Sequence, residues 1–236
     1  MYRLRKVLYG LRQAPRARNA KLDATLKEMG FQQGTGRAVL LVGVYVDDLI
    51  IAGGDTEDVE KFKAAMKQRL DMSDLGLLSF YLGIEVRQDA SGIRLRQAYY
   101  AERILDLGDT AGCNPAHTPM EEKLKLSRNS EEEEVDPTHY RRLVGSLLYL
   151  VHTWPDLAFA VGYVSRFMER PMVEHLQAIK RVLRYVARML DYGLHYKHAS
   201  GVMHFIGYCD SNLTGDVDTS KRTSGTMFFL GDCLVC

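Results

Sequence analysis

Asp47 and Asp48 are the residues of this sequence whose types and spacing most clearly favour chemistry. They are adjacent and lie between two apolar runs, and no other charged residue occurs between Arg37 and Asp55. Paired carboxylates supply the hard oxygen ligands of Mg²⁺, which takes its remaining ligands from water and substrate phosphates. Two-metal phosphoryl transfer uses such carboxylates. The alternative is ordinary turn chemistry, in which aspartate is common between strands.

The apolar runs on either side predict the element that positions these acids. Residues 39–52, VLLVGVYVDDLIIA, have the composition of a buried β-hairpin with the acids at its tip. Because unpaired charges are rarely left out of water, such a tip is expected to be exposed or to bind a cation.

Further elements are predicted on both sides of the hairpin. Residues 15–29 form an amphipathic run closed by Gly30, and Thr56 is expected to cap a helix that ends at Leu70. Residues 79–97 predict a second hairpin, and residues 99–107 predict a helix that stops at Gly108. The face of the Thr56 helix that is expected to pack on the sheet carries Val59, Phe62, Met66 and Leu70.

Composition favours a globular protein with local rather than global charge asymmetry. The 236 residues are 46% hydrophobic and 26% charged, with a net charge of +1. Residues 1–22 carry seven lysines and arginines and no acid, whereas residues 121–136 carry seven acids and three bases. The net charge of the whole chain therefore does not indicate a nucleic-acid partner. The basic N-terminal segment is compatible with one.

Cysteine use and hydropathy indicate an intracellular protein, in the cytoplasm or nucleus, that is not secreted. The four cysteines are too sparse for a disulfide framework. Cys233-x-x-Cys236 has a metal-like spacing, but it is a single pair and is interpreted as chance. No secretory signal follows Met1, and the longest apolar run, of about 15 residues, is too short to span a bilayer.

The second half of the sequence predicts a linker, a helical region and a final hairpin. Residues 109–138 are rich in X-Pro steps and acids and predict an exposed linker, and residues 140–196 have a helical pattern. Residues 202–230 read as two strands, with Asp210 at the end of the first. One face of the helical region is basic and is compatible either with phosphate binding or with solvent exposure. This face carries Lys180, Arg181, Arg184 and Arg188.

Several blocks of the chain are similar, in the same order, to the reverse transcriptases of copia-type retrotransposons. They comprise LYGLRQAPRA at residues 8–17, the tetrapeptide YVDD at 45–48 and YLGIE at 81–85. Two longer blocks follow at residues 140–168 and 210–225. The chain is therefore identified as a member of this family, and the resemblance covers essentially its whole length. Where Arg18 stands, the family normally has tryptophan.

The resemblance implies an α+β fold. Its parts are an incomplete polymerase palm with a catalytic β-hairpin, a helical thumb and connection region, and a truncated RNase H-like β-hairpin. The expected segments are 1–108 for the partial palm and the start of the thumb, and 109–138 for the linker. Residues 139–198 would form the helical connection region, and residues 199–236 the truncated RNase H-like segment.

The resemblance also implies roles for residues of the polymerase site. Asp47 and Asp48 would be the catalytic metal ligands, while Gln13, Arg12 and Tyr45 would contact nucleotide and template. The implied cofactor is Mg²⁺, with Mn²⁺ as an alternative. The implied partners are an RNA template, a DNA primer and a dNTP, without a membrane. Self-association or contact with other polyprotein parts is a further expectation.

Two more sites follow from the same resemblance. Leu82 and Gly83 would grip the primer end, and the alternative is a plain hairpin in which Gly83 forms a bulge. Asp210 would be a metal ligand of an RNase H remnant, which needs further acids on later elements.

Activity of the isolated chain is a separate question. Members of the family complete the metal site with another aspartate on a strand before residues 8–17, and their segment between residues 31 and 41 is longer. These departures favour a defective chain over an active RNA-directed DNA polymerase. The alternatives are a non-catalytic nucleic-acid-binding remnant, using its basic N-terminal segment and residues 181–188, and a degenerate product that barely folds.

Overall fold

The computed structural model describes residues 12, 14–31, 40–198, 204–212, 218 and 223–235. For residues 210–212 and 223–224 it describes the backbone alone. The chain divides into two compact units, Met1–Leu77 and Leu78–Cys236, and each is described by itself. Residues 32–39, which belong to the segment expected to be shorter than in the family, lie outside the described residues. In the part of the chain that is described, no helix combines the length and apolar character needed to cross a membrane.

The first unit combines two helices with one β-hairpin. Its elements are α1 (Ala14–Glu28), β1 (Leu40–Tyr45), β2 (Asp48–Gly53) and α2 (Thr56–Arg69). The strands pair antiparallel from Leu40 opposite Gly53 to Tyr45 opposite Asp48. The core of this unit is formed by Leu22, Phe62 and Met66, with further apolar side chains of the helices and strands packed around them.

The hairpin is less buried than the sequence predicts. Leu40 and Val42 pack toward the helices, whereas Leu41 is 67% exposed and the strand ends nearest the turn are exposed. The prediction of a buried hairpin is therefore only partly right, because part of its apolar surface packs on the core while Leu41, Val44 and Tyr45 meet solvent.

Helix α2 confirms the predicted core face but not the predicted cap. Phe62 and Met66 are buried. The N-cap is Asp55 rather than Thr56, since the Asp55 carboxylate accepts a hydrogen bond of 2.8 Å from the Glu57 amide. Aspartate is a favoured N-cap residue because its side chain satisfies one of the free amides of the first turn.

A four-stranded antiparallel sheet begins the second unit. Its strands are β3 (Phe80–Tyr81), β4 (Ile84–Asp89), β5 (Gly92–Arg96) and β6 (Leu194–Lys197), in the order β3-β4-β5-β6. The pairing of β4 with β5 confirms the predicted hairpin over residues 84–96. Residues 79–83 do not continue its first strand, since Phe80–Tyr81 forms the separate strand β3 and a turn follows it.

Strand β6 lies where the helical pattern was predicted to continue, so the prediction of helix up to residue 196 is wrong. Leu194 pairs with Leu95, and Gly92 pairs with Lys197. The two backbones approach so closely that a Cβ atom on Gly92 would lie 2.0 Å from the Tyr196 carbonyl oxygen. A glycine is therefore needed at this point of the sheet.

Helices form the core of the second unit. They are α3 (Ala98–Leu107), α4 (Pro137–Leu150), α5 (Ala158–Val164) and α6 (Val173–Arg188), with 3₁₀ turns at Pro155–Leu157 and Ser165–Phe167. The fully buried side chains at the centre include Leu143, Leu147, Ile179, Leu183 and Val186. The predicted end of α3 at Gly108 is confirmed, since the Gly108 amide donates to the Ile104 carbonyl.

Residues 109–136 of the predicted linker connect α3 to α4 without a helix, and residues 137 and 138 already belong to α4. Most are exposed, but Ala116 and Leu126 are buried. Asp136 begins α4 as its N-cap and accepts hydrogen bonds from the Thr138 and His139 amides. The division of the chain into two compact units falls between Leu77 and Leu78 and coincides with none of the predicted segment boundaries. The boundaries at residues 108 and 138 stay predictions.

A second sheet closes the described chain. It contains β7 (Phe205–Asn212), β8 (Thr223–Leu230) and β9 (Cys233–Leu234), in that order. The predicted C-terminal hairpin corresponds to the antiparallel pair β7 and β8. The mixture of helices and antiparallel sheets agrees with the α+β class.

Candidate active site

Residues 45–48 form the tip of the first hairpin and are called the acidic turn. Tyr45 and Asp48 are the last paired residues, so Val46 and Asp47 make a two-residue turn. Asp48 begins β2, and the side chains of both aspartates are exposed. The prediction that the acids lie at the tip is confirmed, and the carboxylates avoid a burial cost because water reaches them.

Val46 has an unusual backbone conformation. Its φ angle is +47°, in the left-handed region. A positive φ at the first central position is the pattern of a type II′ hairpin turn, in which glycine is the usual residue. A β-branched residue there is strained. The strain lies directly beside Asp47.

Arg18, on α1, holds the acidic turn. Its Nη1 forms an ion pair of 2.7 Å with Asp47 Oδ1. Its Nη2 donates a hydrogen bond of 3.0 Å to the Asp47 carbonyl, and Nη1 also donates to the Val46 carbonyl. The sequence places Arg18 only on a basic face, because nothing in the local pattern relates it to residues almost 30 positions later.

The acidic turn offers oxygen ligands of the kind that a divalent cation prefers, but too few of them. Carboxylate oxygens are suitable ligands, but one carboxylate is already paired with a guanidinium. Across the described ranges, no group of three or more histidine, cysteine, aspartate or glutamate side chains could hold a metal ion. The described residues therefore do not complete a metal site.

The predicted nucleotide and template contacts are only partly visible. Gln13 lies outside the described residues. Arg12 is exposed in a turn just before α1, and Tyr45 is half exposed at the end of β1. Their roles stay predictions.

Leu82 and Gly83 form the two-residue turn between β3 and β4. Their φ angles are +49° and +81°, and Tyr81 pairs with Ile84 across the turn. Gly83 is thus a turn residue rather than a bulge, while the plain hairpin of the alternative is what the backbone shows. The Tyr149 hydroxyl donates to the Leu82 carbonyl. This turn belongs to the second unit and the acidic turn to the first, and the primer-grip role stays a prediction.

Asp210 lies within β7 rather than at its end. Its backbone is opposite Gly225, and the strand continues to Asn212. The Asp210 side chain is outside what the structure describes, so its predicted metal role is untested. Cys233 Sγ donates to the His195 carbonyl at 3.2 Å, while Cys236 is not described.

The basic face of α6 binds a segment of the same chain. Arg181 forms an ion pair of 2.8 Å with Glu121, and Arg184 Nε donates to the Asn114 carbonyl at 2.6 Å. Arg188 contacts the His117 ring. We call these three arginines and residues 114–121 the arginine clasp. Three of the four side chains predicted to track phosphates or to meet solvent therefore make contacts within the fold, whereas Lys180 is exposed as one of the two alternatives predicts.

A buried histidine near the start of α6 was not predicted. His175 stacks on Phe167 with ring centroids 3.9 Å apart, and its Nδ1 accepts from the Met172 amide at 2.9 Å. Its Nε2 lies 3.1 Å from the Ser127 carbonyl oxygen. Burial lowers the pKa of His175, although Glu174, Ser127 and Asp218 act in the opposite direction. Its hydrogen bonds make it a satisfied core residue.

The chain is similar over almost its whole length to parts of retrotransposon polyproteins. A family model described as reverse transcriptase (RNA-dependent DNA polymerase) matches residues 1–122. The Retrovirus-related Pol polyprotein from transposon RE2 of Arabidopsis thaliana is 37% identical over 97% of this chain and 16% of its own length. The corresponding polyprotein from transposon TNT 1-94 of Nicotiana tabacum is 33% identical over 96% of this chain and 18% of its own length.

A shorter relative is covered more fully. An uncharacterized mitochondrial protein of Arabidopsis thaliana is 35% identical over 80% of this chain and 78% of its own length. By contrast, the chain spans 16% of the length of the first curated polyproteins that it matches. No solved structure matches the chain significantly.

Proposed function

Because the chain belongs to the reverse transcriptase family of copia-type retrotransposon polyproteins, we propose that its acidic turn is the aspartate pair of a polymerase palm. We propose further that the described chain does not by itself add nucleotides to a primer. The substrates of the family are an RNA template, a DNA primer and dNTPs, and its chemistry uses divalent metal ions.

The geometry of the acidic turn carries this proposal. Asp47 and Asp48 stand at the exposed tip of a paired hairpin, where their carboxylates are accessible to a large substrate. Carboxylates so placed suit a nucleotidyl-transfer site, which holds cations against the phosphates of a nucleotide. Gln13, Arg12 and Tyr45 would contact nucleotide and template around it, and Leu82 and Gly83 would contact the primer.

Two features of the same turn account for the proposed lack of activity. Asp47 forms an ion pair of 2.7 Å with Arg18, so one of its carboxylate oxygens is already in contact with a cation. No third carboxylate joins the pair among the described side chains. Stabilising the charge that develops during phosphoryl transfer needs cations in fixed positions. Two carboxylates without a third are a poor holder of two such cations, and the exposed ion pair with Arg18 weakens cation binding by a small further amount.

Primer extension tests the proposal. The purified chain is incubated with a DNA primer on an RNA template, dNTPs and either Mg²⁺ or Mn²⁺, beside the double variant Asp47→Asn, Asp48→Asn. We expect no extension from folded chain under either metal. Extension by the chain that the double variant lacks would overturn the proposed inactivity and assign Asp47 and Asp48 a catalytic role.

The alternative of a nucleic-acid-binding remnant has less support. Its proposed surface on α6 is occupied, since Arg181, Arg184 and Arg188 contact residues of the arginine clasp. This alternative can still rely on exposed basic residues of α1, such as Arg16 and Lys21. A solvated basic helix face is common in proteins that bind no nucleic acid.

A further inference from the structure

We infer that Arg18 serves as a built-in cation of the acidic turn and competes with divalent metal ions for Asp47. The inference rests on the proposed function only in treating this turn as the metal-binding part of the chain. It concerns the affinity of the turn for a cation and does not require any nucleotide addition.

The contacts of Arg18 match those a cation would need. Nη1 lies 2.7 Å from Asp47 Oδ1, and Nη2 lies 3.0 Å from the Asp47 carbonyl oxygen. Nη1 donates to the Val46 carbonyl as well. Carboxylate and backbone carbonyl oxygens are the ligand types that hard divalent cations take in proteins. One guanidinium therefore engages three oxygens that could otherwise face a metal ion.

Charge sets the two occupants of Asp47 in competition, because a guanidinium and a divalent ion are both positive. A divalent ion on the same carboxylate would be repelled by the guanidinium charge at a distance of a few ångströms. A metal ion that takes Asp47 Oδ1 must displace the contact with Arg18. The free energy of the ion pair is then subtracted from the free energy of metal binding.

The exposure of the pair limits the size of the effect. The side chains of Arg18 and Asp47 are 45% and 59% exposed, so water and salt screen their attraction. Exposed ion pairs of this kind contribute little, and their loss corresponds to about a two- to fivefold change in an equilibrium constant. A competition of this size is measurable and leaves the turn able to bind a cation weakly.

A Mn²⁺ titration of the ¹⁵N-labelled full chain tests the inference at the site itself. Paramagnetic broadening of the amide signals of residues 45–48 reports binding at the acidic turn and is independent of catalysis. We expect Arg18→Gln to bind Mn²⁺ about two- to fivefold more tightly than the unsubstituted chain. Arg16→Gln removes the same charge from an exposed position on the same helix and is the matched control.

The gain in Mn²⁺ affinity that Arg18→Gln produces must depend on Asp47. In an Asp47→Asn background, Arg18→Gln should produce no further gain, because the carboxylate that the two cations share is absent. Arg18→Met serves as a second uncharged variant if the glutamine variant does not fold. Equal affinities of the Arg18→Gln and unsubstituted chains would overturn the inference, as would an equal gain from Arg16→Gln or a gain that persists without Asp47.

The two proposals fail separately. Primer extension by the unsubstituted chain would overturn the proposed inactivity and leave the Mn²⁺ comparison to decide the role of Arg18. Unchanged Mn²⁺ affinity in the Arg18 variants would overturn the competition and leave the proposed function standing.

Discussion

Val46 shows how a single backbone angle shapes the acidic turn. With φ at +47°, the turn is tight enough for Tyr45 and Asp48 to pair and for Asp47 to project from the tip. Glycine would reach this conformation without strain, whereas valine is disfavoured there. The valine is thus a local cost at the position next to the proposed metal ligand, which is where strained residues concentrate in proteins.

Substituting Val46 with glycine should therefore stabilise the hairpin. Relief of left-handed strain, about 1–2 kcal/mol, outweighs the entropy cost of glycine, about 0.5–1 kcal/mol. Hydrogen exchange of residues 40–53 should slow by about two- to fivefold. Val44→Gly, within β1, is the matched control and should speed exchange. Faster exchange in both variants would contradict the assignment of strain to Val46.

His175 gives the second unit a pH dependence. Because burial lowers its pKa in the folded state, the unfolded chain binds the proton more readily. Stability is therefore fully present above the unfolded pKa of about 6.5 and is lost as pH falls toward the folded pKa. Asp136, whose pKa is lowered mainly by the hydrogen bond from the Thr138 amide, acts only at more acidic pH, below the ordinary range of a carboxylate.

Urea unfolding between pH 7.5 and 5.5 checks this prediction. The single tryptophan, Trp154, is 3% exposed in the second unit and reports its unfolding by fluorescence. We expect the free energy of unfolding to decrease as the pH falls through this range. His175→Gln should be less stable at pH 7.5 but nearly independent of pH, whereas the exposed control His198→Gln should keep the original dependence. Equal slopes in all three proteins would contradict the prediction.

At the scale of elements, helix α6 has two different faces with two different tasks. Ile179, Leu183 and Val186 are buried in the core, as their spacing of three and four predicts. The opposite face carries the arginines of the clasp, which hold residues 114–121 against the helix. A basic face seen in the sequence is therefore explained by contacts inside the fold.

Arg184 should accordingly matter for stability rather than for nucleic-acid affinity. Arg184→Ala removes the 2.6 Å hydrogen bond to the Asn114 carbonyl and should cost about 1 kcal/mol in unfolding free energy. Lys180→Ala, at an exposed position one turn earlier, should change the free energy by less than about 0.5 kcal/mol. Unchanged stability together with weaker RNA binding by Arg184→Ala would contradict this and favour the nucleic-acid-binding alternative.

Periodicity predicted the elements that bury one face and missed those set by distant partners. The hairpin around Asp47, the core face of α2 and the end of α3 follow from local patterns of apolar residues and glycine. Strand β6 was missed because four residues after a long helix carry no strand signal until β5 is known to lie beside them. The cap was assigned to Thr56 although its neighbour Asp55 has the stronger N-cap preference, so the sequence contained the signal for the observed cap.

The candidate site was predictable to the same extent. The aspartates and their place at a hairpin tip could be read from the sequence, since two apolar runs with a turn between them are local features. The Arg18 contact could not, because the pair is separated by 29 residues and forms only through packing of α1 near the hairpin. Such contacts are what decide whether a carboxylate is free to bind a cation.

At the scale of the whole molecule, family membership and activity are separate properties. The chain belongs to the reverse transcriptase family, and it spans 16% of the length of the polyproteins that it resembles over almost its entire sequence. The two compact units contain different parts of the proposed machinery, with the acidic turn in the first and the Leu82–Gly83 turn in the second. Activity depends on whether this chain itself supplies enough ligands at the turn.

Primer extension on an RNA template, run beside the Asp47→Asn, Asp48→Asn variant, tests this account most directly. Native fluorescence of Trp154 should first establish that both proteins are folded in the second unit, and hydrogen exchange of residues 40–53 that the hairpin is formed. The account predicts that neither protein lengthens the primer with Mg²⁺ or Mn²⁺. Lengthening by the unsubstituted chain alone would contradict it and establish that two carboxylates, even with Arg18 beside them, are sufficient for nucleotide addition.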